Sequence, residues 1–309
     1  MGGEGLSGPG RVRGLPFRRG RARRPRFMSI PRLAVLLGAL AGLGPAGASA
    51  ADSAAAAAAP PDPWDNPISA DRPGATNPAS VVDPRVWQLE AAVEFLGQGA
   101  PGVPRDRLAD FPTMLRFGLV RDLEVRASSS LFSVLSPGGG GPQARGFADV
   151  SLGLKWSPWQ GGGGPAPDVA MAPTVSLPVG AEAFSAHKLQ PGVSGLCSWT
   201  LGRTALGLNL GVSRLVRPAA AGYFWQLGGA GGAQLNLTRR WSVSADVFDL
   251  APFQPGQGQA WGVDQAVALL VTPDLQVDAG IAETVGGPQR GFDLQLGLSW
   301  RRRPAGPTR

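Results

Sequence analysis

The chain has 309 residues, of which 29 are lysine or arginine and 22 are aspartate or glutamate, giving a formal net charge of +7. Nine of the arginines but only one acidic residue lie in residues 1–50, so the remaining 20 basic and 21 acidic residues nearly balance, and no nucleic-acid partner is expected. The single cysteine, Cys197, excludes an intrachain disulfide framework and a cysteine-based metal cluster.

Residues 28–50 have the pattern of a cleavable secretory signal peptide. A short basic region that ends at Arg32 precedes an apolar run over 33–43 and the small-residue site Ala48-Ser49-Ala50. The run is too short to span a bilayer as a helix, which needs roughly 20 apolar residues. We interpret residues 1–27 as an upstream extension outside the true gene, with translation starting at the methionine of position 28. An unusually long basic leader is the alternative.

Three further regions follow the signal peptide. Residues 51–69 are rich in alanine and proline, show no periodicity and predict a disordered linker. Residues 70–300 carry a repeated two-faced pattern, and residues 301–309 form a short basic C-terminal tail. Because a signal peptide directs export, we expect the mature chain in the cell envelope.

Apolar and polar side chains alternate about a dozen times between residues 86 and 300. Over residues 292–300, every second side chain from Phe292 to Trp300 is apolar, and the intervening residues are polar or glycine. Successive side chains of a β-strand point to opposite faces, so this alternation predicts strands with one apolar face. It gives twelve segments: 86–97, 112–120, 123–132, 147–156, 168–178, 191–200, 204–214, 223–237, 241–250, 261–271, 275–285 and 291–300.

The connections between these segments alternate in length. Short turns, such as Arg121-Asp122, alternate with longer loops rich in glycine, proline or polar residues, such as 179–190. Outer-membrane barrels have short periplasmic turns and longer external loops. Two connections depart from this rule, since Pro158–Pro167 is long for a turn and Gly286–Gln289 is short for a loop.

The faces of the predicted strands follow from their charges. Arginine or lysine on the lipid face at the bilayer midplane costs roughly 2–4 kcal/mol, so charged members of the alternation are expected to line the interior. Glycines on the same face, as in residues 206–212, leave room in a lumen. The predicted lumen-lining residues, which would set selectivity, are Glu90, Glu94, Arg116, Glu124, Arg126, Asp149, Lys155, Asp246, Asp278 and Asp293.

Tryptophans at strand ends suit the aromatic girdles found at the two membrane interfaces. Those predicted to form girdles are Trp87, Trp156, Trp199, Trp241, Trp261 and Trp300. A soluble antiparallel sheet shows the same alternation with its apolar face buried. The girdles, and the need to remove edges from so long a sheet, favour the membrane form. The sequence therefore predicts an all-β protein, a transmembrane antiparallel up-and-down β-barrel of about 12 strands.

Five motifs occur in order along this region: residues 70–74 with 86–91, 111–119 with 121–124, 149–155, 177–180 and 270–278. Together they resemble a large bacterial family of outer-membrane "transporter" barrels, the MetA-pathway phenol-degradation family. The resemblance covers nearly the whole mature chain. It implies an outer-membrane channel for hydrophobic or aromatic compounds. The chain departs from such barrels after Trp300, where Arg301-Arg302-Arg303 follows the aromatic residue on which they commonly end.

Catalytic or metal chemistry has few candidates in this sequence. His187, the single histidine, lies in the predicted loop 179–190 beside Ser185, and such a pair could serve a lipid hydrolase. It carries no recognisable motif, so a solvated loop histidine is the better interpretation. The carboxylates do not have calcium-loop spacing, and the glycine runs lack the Lys-Ser/Thr of a phosphate loop. We therefore predict no enzyme, no cofactor and no metal.

The predicted function is passive, facilitated diffusion of a small solute through a barrel whose charge and width set selectivity. Twelve strands enclose a narrow lumen that inward side chains could largely fill. Two alternatives remain open: a closed structural or adhesive barrel whose external loops bind a partner, and an outer-membrane lipid hydrolase. The predicted location is the bacterial outer membrane, with outer-membrane lipids and the barrel-assembly machinery as partners.

Overall fold

The computed structural model describes residues 62–217, 222–253 and 258–304. The predicted signal peptide and upstream extension lie outside these residues. The described strands are β1 (Trp87–Gly99), β2 (Asp106–Val120), β3 (Leu123–Ser136), β4 (Ala144–Gly146), β5 (Val150–Trp159), β6 (Asp168–Leu177), β7 (Gln190–Leu201), β8 (Thr204–Val216), β9 (Tyr223–Asn236), β10 (Trp241–Phe253), β11 (Ala260–Thr272), β12 (Leu275–Gly286) and β13 (Arg290–Arg302). Single 3-10 turns form at Pro63–Asp65 and Glu182–Phe184. Within the described ranges, no helix is long and apolar enough to cross a membrane.

The strands form one antiparallel sheet that closes on itself, because β1 pairs with both β2 and β13. The closing pair spans all 13 residues of β1, from Trp87 opposite Arg302 to Gly99 opposite Arg290. Strand β4 only extends the end of β3, and β3 continues around the wall to β5. The wall therefore has the twelve strands that the sequence predicted. Closure leaves no free edge, so the wall satisfies its backbone hydrogen bonds without water.

Several strands run further than the alternation predicts. At one end of the barrel, β2 begins at Asp106 rather than 112 and β3 continues to Ser136 rather than 132. Where a strand extends past the hydrocarbon core of the membrane, both of its faces can contact water. Its side chains there need not alternate between apolar and polar. At the other end, Arg301 and Arg302, which we assigned to the tail, pair with β1 and complete β13.

The two ends of the barrel differ in the length of their connections. One end carries the two-residue turns 121–122, 202–203 and 273–274, and the chain enters β1 from that side. The other end carries the longer loops, including 137–149 and 178–189. We identify these as the periplasmic and external ends. The two exceptions predicted from sequence are present as the long turn 160–167 and the short loop 287–289.

The usual distribution of polar and apolar residues is reversed in this fold. Leu296 is 58% exposed, whereas Arg116, Glu124 and Lys155 are 1%, 0% and 0% exposed. A soluble protein would bury the leucine and expose the charges. An apolar outer surface around a charged interior matches a barrel surrounded by hydrocarbon.

Residues 66–85, which we call the lumen segment, lie inside the periplasmic half of the barrel. Backbone N–H groups of the segment donate to Pro273 O beside β12, to Asp246 on β10, to Ser198 on β7 and to Glu124 on β3. The segment therefore passes around the inner wall before Pro84 bridges to β2 and the chain enters β1. Its residues Ile68, Ala79 and Val82 are 5%, 0% and 4% exposed.

The start of the lumen segment was predicted to belong to a disordered linker that continued to residue 69. Instead, the carbonyl oxygen of Asn66 accepts hydrogen bonds of 2.7 Å from both Arg301 and Arg303. Both arginines also donate to Asp274 at 2.8 Å. These bonds fix the beginning of the segment at the periplasmic rim. Composition alone could not show them, because the partners lie more than 200 residues away in the chain.

Candidate functional site: the occupied lumen

Six charged side chains meet on one side of the lumen, and we call them the Asp71 cluster: Asp71, Glu90, Arg116, Glu124, Arg126 and Lys155. Arg116 Nη1 and Lys155 Nζ each lie 3.1 Å from Asp71 Oδ1, and Arg126 contacts Asp71 Oδ2. Arg116 also donates two bonds of 2.9 Å to Glu124 and one of 2.8 Å to Glu90. Three carboxylates thus balance three cations, as burial away from water requires.

The register of β2, β3 and β5 brings the cluster together. Arg116 is directly opposite Arg126, and Glu124 is directly opposite Lys155. Such partners point to the same face, with Cβ atoms about 4.5–5.5 Å apart. Since directly opposed arginines repel each other, the pair needs carboxylates placed between them. The wall supplies Glu124, and the lumen segment supplies Asp71.

The Asp71 carboxyl is matched to its cationic surroundings. Burial by itself would raise the pKa of Asp71, but the charges of Arg116, Lys155 and Arg126 outweigh burial and hold the pKa well below its usual range. The backbone N–H of Asp71 also donates to Glu90 at 3.0 Å. Asp71 is therefore ionised and fixed at both its backbone and its side chain when the segment lies in the lumen.

Arg72 contacts a different part of the wall. Its Nη1 lies 3.2 Å from Glu94 on β1, its Nη2 donates to Gln295 on β13 at 2.6 Å, and its Nε lies 3.7 Å from Asp278 on β12. Gln295 also donates to the carbonyl oxygen of Pro73 at 2.9 Å. The side chain and the following peptide group therefore hold this point of the segment against β1, β12 and β13.

The strands around Arg72 carry an excess of carboxylates, which we call the acidic wall: Glu94, Asp246, Asp264, Asp278 and Asp293. Asp246 is directly opposite Asp264. One oxygen of Asp264, of Asp278 and of Asp293 has no hydrogen-bond partner in the described chain, although Asp264 and Asp278 are only 6% exposed. Among the described residues, Arg72 is the one cation within 4.0 Å of any of the five. This side of the lumen is therefore negatively charged.

The inner wall makes room for the lumen segment at glycines. A Cβ atom on Gly207 of β8 would lie 3.0 Å from the Cβ atom of Thr76. One on Gly118 of β2 would collide with the backbone carbonyl groups of Val82 and Asp83. The room that the sequence predicted from inward glycines is thus occupied by the chain itself.

Two lumen cavities lie at different heights against the segment. A cavity of about 500 Å³ in the periplasmic half is lined in part by Ser198 and Asp246, and one of about 380 Å³ nearer the external end is lined in part by Met114 and Ser129. Arg72 is among the residues that line both. The segment therefore stands between the two spaces.

The ten predicted lumen-lining residues lie on the inner side of the wall, and Asp149 among them lines the cavity of about 380 Å³ and has a second role. Nine of the ten belong to the Asp71 cluster or the acidic wall, and their role in selectivity stays a prediction. Asp149 immediately precedes β5, and its carboxylate accepts N–H bonds from Gly180 at 2.9 Å and Ala186 at 2.8 Å. It anchors the external loop 178–189.

The predicted girdle tryptophans face outward, and their role at the membrane interface stays a prediction. Trp87, Trp156, Trp241, Trp261 and Trp300 are 43–47% exposed, and Trp199 is half-buried. Trp261 lies at the external end and the other five lie toward the periplasmic end. Sequence reasoning missed two further outward tryptophans, Trp159 and Trp225, which are 60% and 52% exposed.

Sequence reasoning also missed charged residues of the lumen, among them Asp71, Arg72 and Asp264. Asp71 and Arg72 precede the first strand, where no periodicity assigns a face, although they are the only charged residues between Asp65 and Asp83. Asp264 is followed by Gln265, so two consecutive polar residues hide the alternation. Trp261 faces outward, so Val263 and Gln265 at every second position also face outward and Asp264 between them faces inward. This alternation could have identified Asp264 from the sequence.

The predicted loop histidine contacts a serine and a glutamate of its own loop. His187 lies in loop 178–189, where Ser185 Oγ accepts a hydrogen bond from the backbone N–H of His187 rather than from its ring. The ring Nε2 lies 3.7 Å from Glu182 Oε1 at an exposed position. In the described residues, no three histidine, cysteine or carboxylate side chains are grouped as metal ligands would be.

Comparison with known proteins gives one family and several related folds. The model of the family described as "Putative MetA-pathway of phenol degradation" matches residues 70–301. An outer membrane channel from Pseudomonas putida F1 superposes with a TM-score of 0.60 at 9% identity, covering 75% of this chain and 99% of that chain. The NanC porin gives 0.49 at 9% identity (68% and 98%), and the CymD monoaromatic hydrocarbon channel gives 0.41 at 8% (72% and 90%). At these identities the similarity shows the barrel fold alone. No curated protein sequence matched the chain.

Proposed function

The chain belongs to the MetA-pathway phenol-degradation family, and we propose that it is an outer-membrane channel for facilitated diffusion of a small solute. In this proposal the barrel wall provides the path and the lumen segment is the barrier along it. The signal peptide predicted at 28–50 and the apolar outer surface support a location in the outer membrane.

The observation that carries this proposal is the pair of cavities that meet at the lumen segment. Both are lined by polar and charged side chains, and non-covalent contacts hold the segment between them. A shift of the segment toward the wall or out of the barrel would join the two spaces. A barrel with only a structural role has no need of a wettable interior on both sides of a removable barrier.

We infer the solute class from the family and from the lumen chemistry together. A phenolic compound has an apolar ring and one hydroxyl donor, so it can hydrogen-bond to a carboxylate or serine oxygen in a narrow cavity. The acidic wall supplies carboxylate oxygens without a hydrogen-bond partner at Asp264 and Asp293. A small aromatic alcohol is therefore the solute that we propose, and the family description supports it.

The first experiment compares single-channel conductance of the predicted mature chain, from Ala51 onward, with that of a variant lacking residues 62–82. Heat-modifiable gel mobility shows whether each barrel is folded. We expect small or brief current steps for the intact chain and larger, longer steps for the variant, because the barrier is gone. A chain lacking only residues 62–65, which precede the lumen segment, is the matched control and should behave like the intact protein.

Silence of the folded intact and shortened chains in the bilayer would overturn the channel proposal. The occupied lumen would then favour the second candidate function, a closed barrel whose external loops bind a surface partner. Loop 178–189 is the loop to examine first in that case, since Asp149 holds it in one conformation.

A third candidate, an outer-membrane lipid hydrolase, has little geometric support, because the His187 ring makes no hydrogen bond to Ser185 among the described contacts. We expect no lipolysis by the purified barrel. If activity is found, a His187→Ala variant decides whether this loop carries it, and a fall in activity would favour the hydrolase.

A further inference from the structure

Three arginines lie together at the external end of β13, β1 and β2, on the side of the wall that faces lipid. Arg107 on β2 is directly opposite Gly97, and Arg290 on β13 is directly opposite Gly99. Because neighbouring strands are about 4.8 Å apart and the two positions differ by two residues along β1, the arginines flank β1 at backbone positions roughly 12 Å from each other. The third, Arg105, lies two residues before Arg107, at the end of the loop that precedes β2. All three are exposed.

Two glycines of β1 allow the close approach of Arg105 and of the Phe292 ring. Gly97 has no side chain, and a Cβ atom there would lie 2.7 Å from the ring of Phe292, so the ring lies across the strand. Gly99 contacts Arg105, whose Cα atom would be 3.3 Å from an added Cβ atom. The Arg105 guanidinium carbon lies 5.9 Å from the centroid of the Phe292 ring.

The loop that carries Arg105 is held in place. The backbone of Gly138 in the next external loop packs against Pro104 and Arg105. The N–H of Gly138 donates to Asp106 at 2.8 Å. The arginine is thus presented by a fixed backbone rather than by a free loop tip.

Directly below the arginines, the outer wall is apolar and aromatic. Phe95 and Phe292 are 50% and 41% exposed, and Leu294 is 47% exposed. A surface cavity of about 860 Å³ is lined in part by Phe95, Phe292, Arg105 and Arg107. Cationic groups therefore lie immediately above an outward-facing apolar surface.

These arginines form no ion pair within the described part of the chain. None has a carboxylate within 4.0 Å in the described part of the chain. Glu283 on β12, directly opposite Phe292, also faces outward and bounds the patch on that side. Arginine binds phosphate through two parallel hydrogen bonds and is the residue best suited to that group.

We propose that Arg105, Arg107 and Arg290, together with Phe95 and Phe292, form a binding site for a phosphorylated lipid of the external leaflet. The guanidinium groups bind the lipid phosphate, and the acyl chain packs on the two phenylalanine rings. The occupant that fits is a phosphorylated glycolipid, the class represented by lipopolysaccharide. Its phosphates lie at the headgroup level and its acyl chains lie directly below. The site is independent of the lumen and of any solute that crosses it.

The test measures binding of lipid A to the intact barrel in detergent by native mass spectrometry. Each basic residue near a membrane surface contributes about 1 kcal/mol, so the variant R105Q/R107Q/R290Q should bind roughly 100-fold more weakly. Arg214→Gln is the matched control. Arg214 is also an outward arginine at the external end, but it lies 4.5 Å from the Tyr223 ring on β9, outside the proposed site. The control should bind lipid A as the intact protein does.

A second measurement needs no variant and so does not depend on folding of the triple substitution. The intact barrel should bind dephosphorylated lipid A far more weakly than lipid A itself. Phosphatidylglycerol, which has a phosphate but a small headgroup, separates general anionic lipid binding from glycolipid binding. Equal affinity for the two forms of lipid A would overturn the proposal. So would equal losses in the triple variant and Arg214→Gln, or binding of phosphatidylglycerol as tight as that of lipid A.

Discussion

Asp71 and Arg72 are neighbours in the chain, yet their side chains bind oppositely charged parts of the same lumen. Asp71 contacts Arg116, Arg126 and Lys155, and Arg72 contacts the acidic wall. Reversing either charge would therefore place it against like charges. The dipeptide fixes the orientation of the lumen segment, because the segment fits the wall electrostatically only with Asp71 toward β2, β3 and β5.

The Asp71→Asn variant tests whether this dipeptide holds the barrier. Removing one partner of a buried ion pair costs about 3–5 kcal/mol, since the remaining charges stay buried without compensation. The segment should therefore leave its position more often, and single-channel conductance or open time should increase. Asp65→Asn is the matched control, because Asp65 lies before the lumen segment and is exposed. Unchanged currents in the Asp71 variant would show that other contacts suffice.

A second substitution distinguishes loss of the ion pair from general damage to the segment. Lys155→Met removes a buried cation whose Nζ lies 3.1 Å from Asp71 Oδ1. If Asp71 and Lys155 interact, the free-energy change in the double variant should differ from the sum of the changes in the two single variants by about 0.5–3 kcal/mol. Fully additive effects on the conductance equilibrium would contradict direct coupling.

A reversible covalent link provides a test of movement that leaves the charges intact. Thr76 and Gly207 are suited to it, because the Cβ atom of Thr76 would lie 3.0 Å from a Cβ atom added at Gly207. A disulfide needs a Cβ–Cβ distance of about 3.5–4.5 Å. The lumen segment can make this small adjustment, since it is not part of the wall. In a Cys197→Ser background, Thr76→Cys with Gly207→Cys should reduce conductance when oxidised and restore it on reduction. Each single cysteine is the control. Equal conductance of the oxidised and reduced double-cysteine variant would show that conduction does not require movement of the segment.

The acidic wall should favour cations in whatever current the lumen passes. Asp264 is buried, faces the interior and has an unpartnered oxygen, so Asp264→Asn should lower the cation-to-anion permeability ratio measured from reversal potentials in a salt gradient. Glu283→Gln changes the same charge on the outer face and should leave the ratio unchanged. Equal shifts in both variants would place the selective charges elsewhere.

Loop 178–189 should lose its anchor in acid. Burial raises the pKa of Asp149, but the hydrogen bonds from Ala186, Gly180 and Ser185 and the charge of His187 together outweigh burial and lower the pKa below the ordinary 3.8. A lowered pKa stabilises the anchored loop above the ordinary value, and this stabilisation is lost as the pH falls below about 3.8 toward the pKa of the anchored state. The loop should therefore loosen when the pH falls below about 4.

Hydrogen exchange at the Gly180 and Ala186 amides measures this anchoring. A hydrogen bond to a charged group is worth about 1.5–3 kcal/mol, so Asp149→Ala should lower their protection factors at pH 6 roughly 10- to 100-fold. Asp168→Ala, which removes a carboxylate at the periplasmic end, should leave them unchanged. Protection that survives in the Asp149 variant would mean that other contacts hold the loop.

The barrel wall could be predicted from the sequence because the membrane imposes a strict pattern on every strand. The twelve segments, the alternation of short and long connections and both exceptions to it are present in the structure. The same parity placed Glu90, Arg116, Glu124 and Lys155 inside. Each conclusion needs only residues that are adjacent in the chain, since a strand repeats every two residues whatever lies around it.

Only the tertiary structure decided what occupies the lumen. The lumen segment has no repeat, and its contacts join residues far apart in sequence, such as Ala75 with Asp246 and Arg72 with Gln295. Composition predicted a linker up to residue 69, and nothing local indicates that Asp71 would complete a cluster of cations from three strands. Periodicity gives the face on which a side chain lies. The partners that side chain finds in the closed barrel depend on strand register and on the path of the segment, which arise only when the whole chain folds.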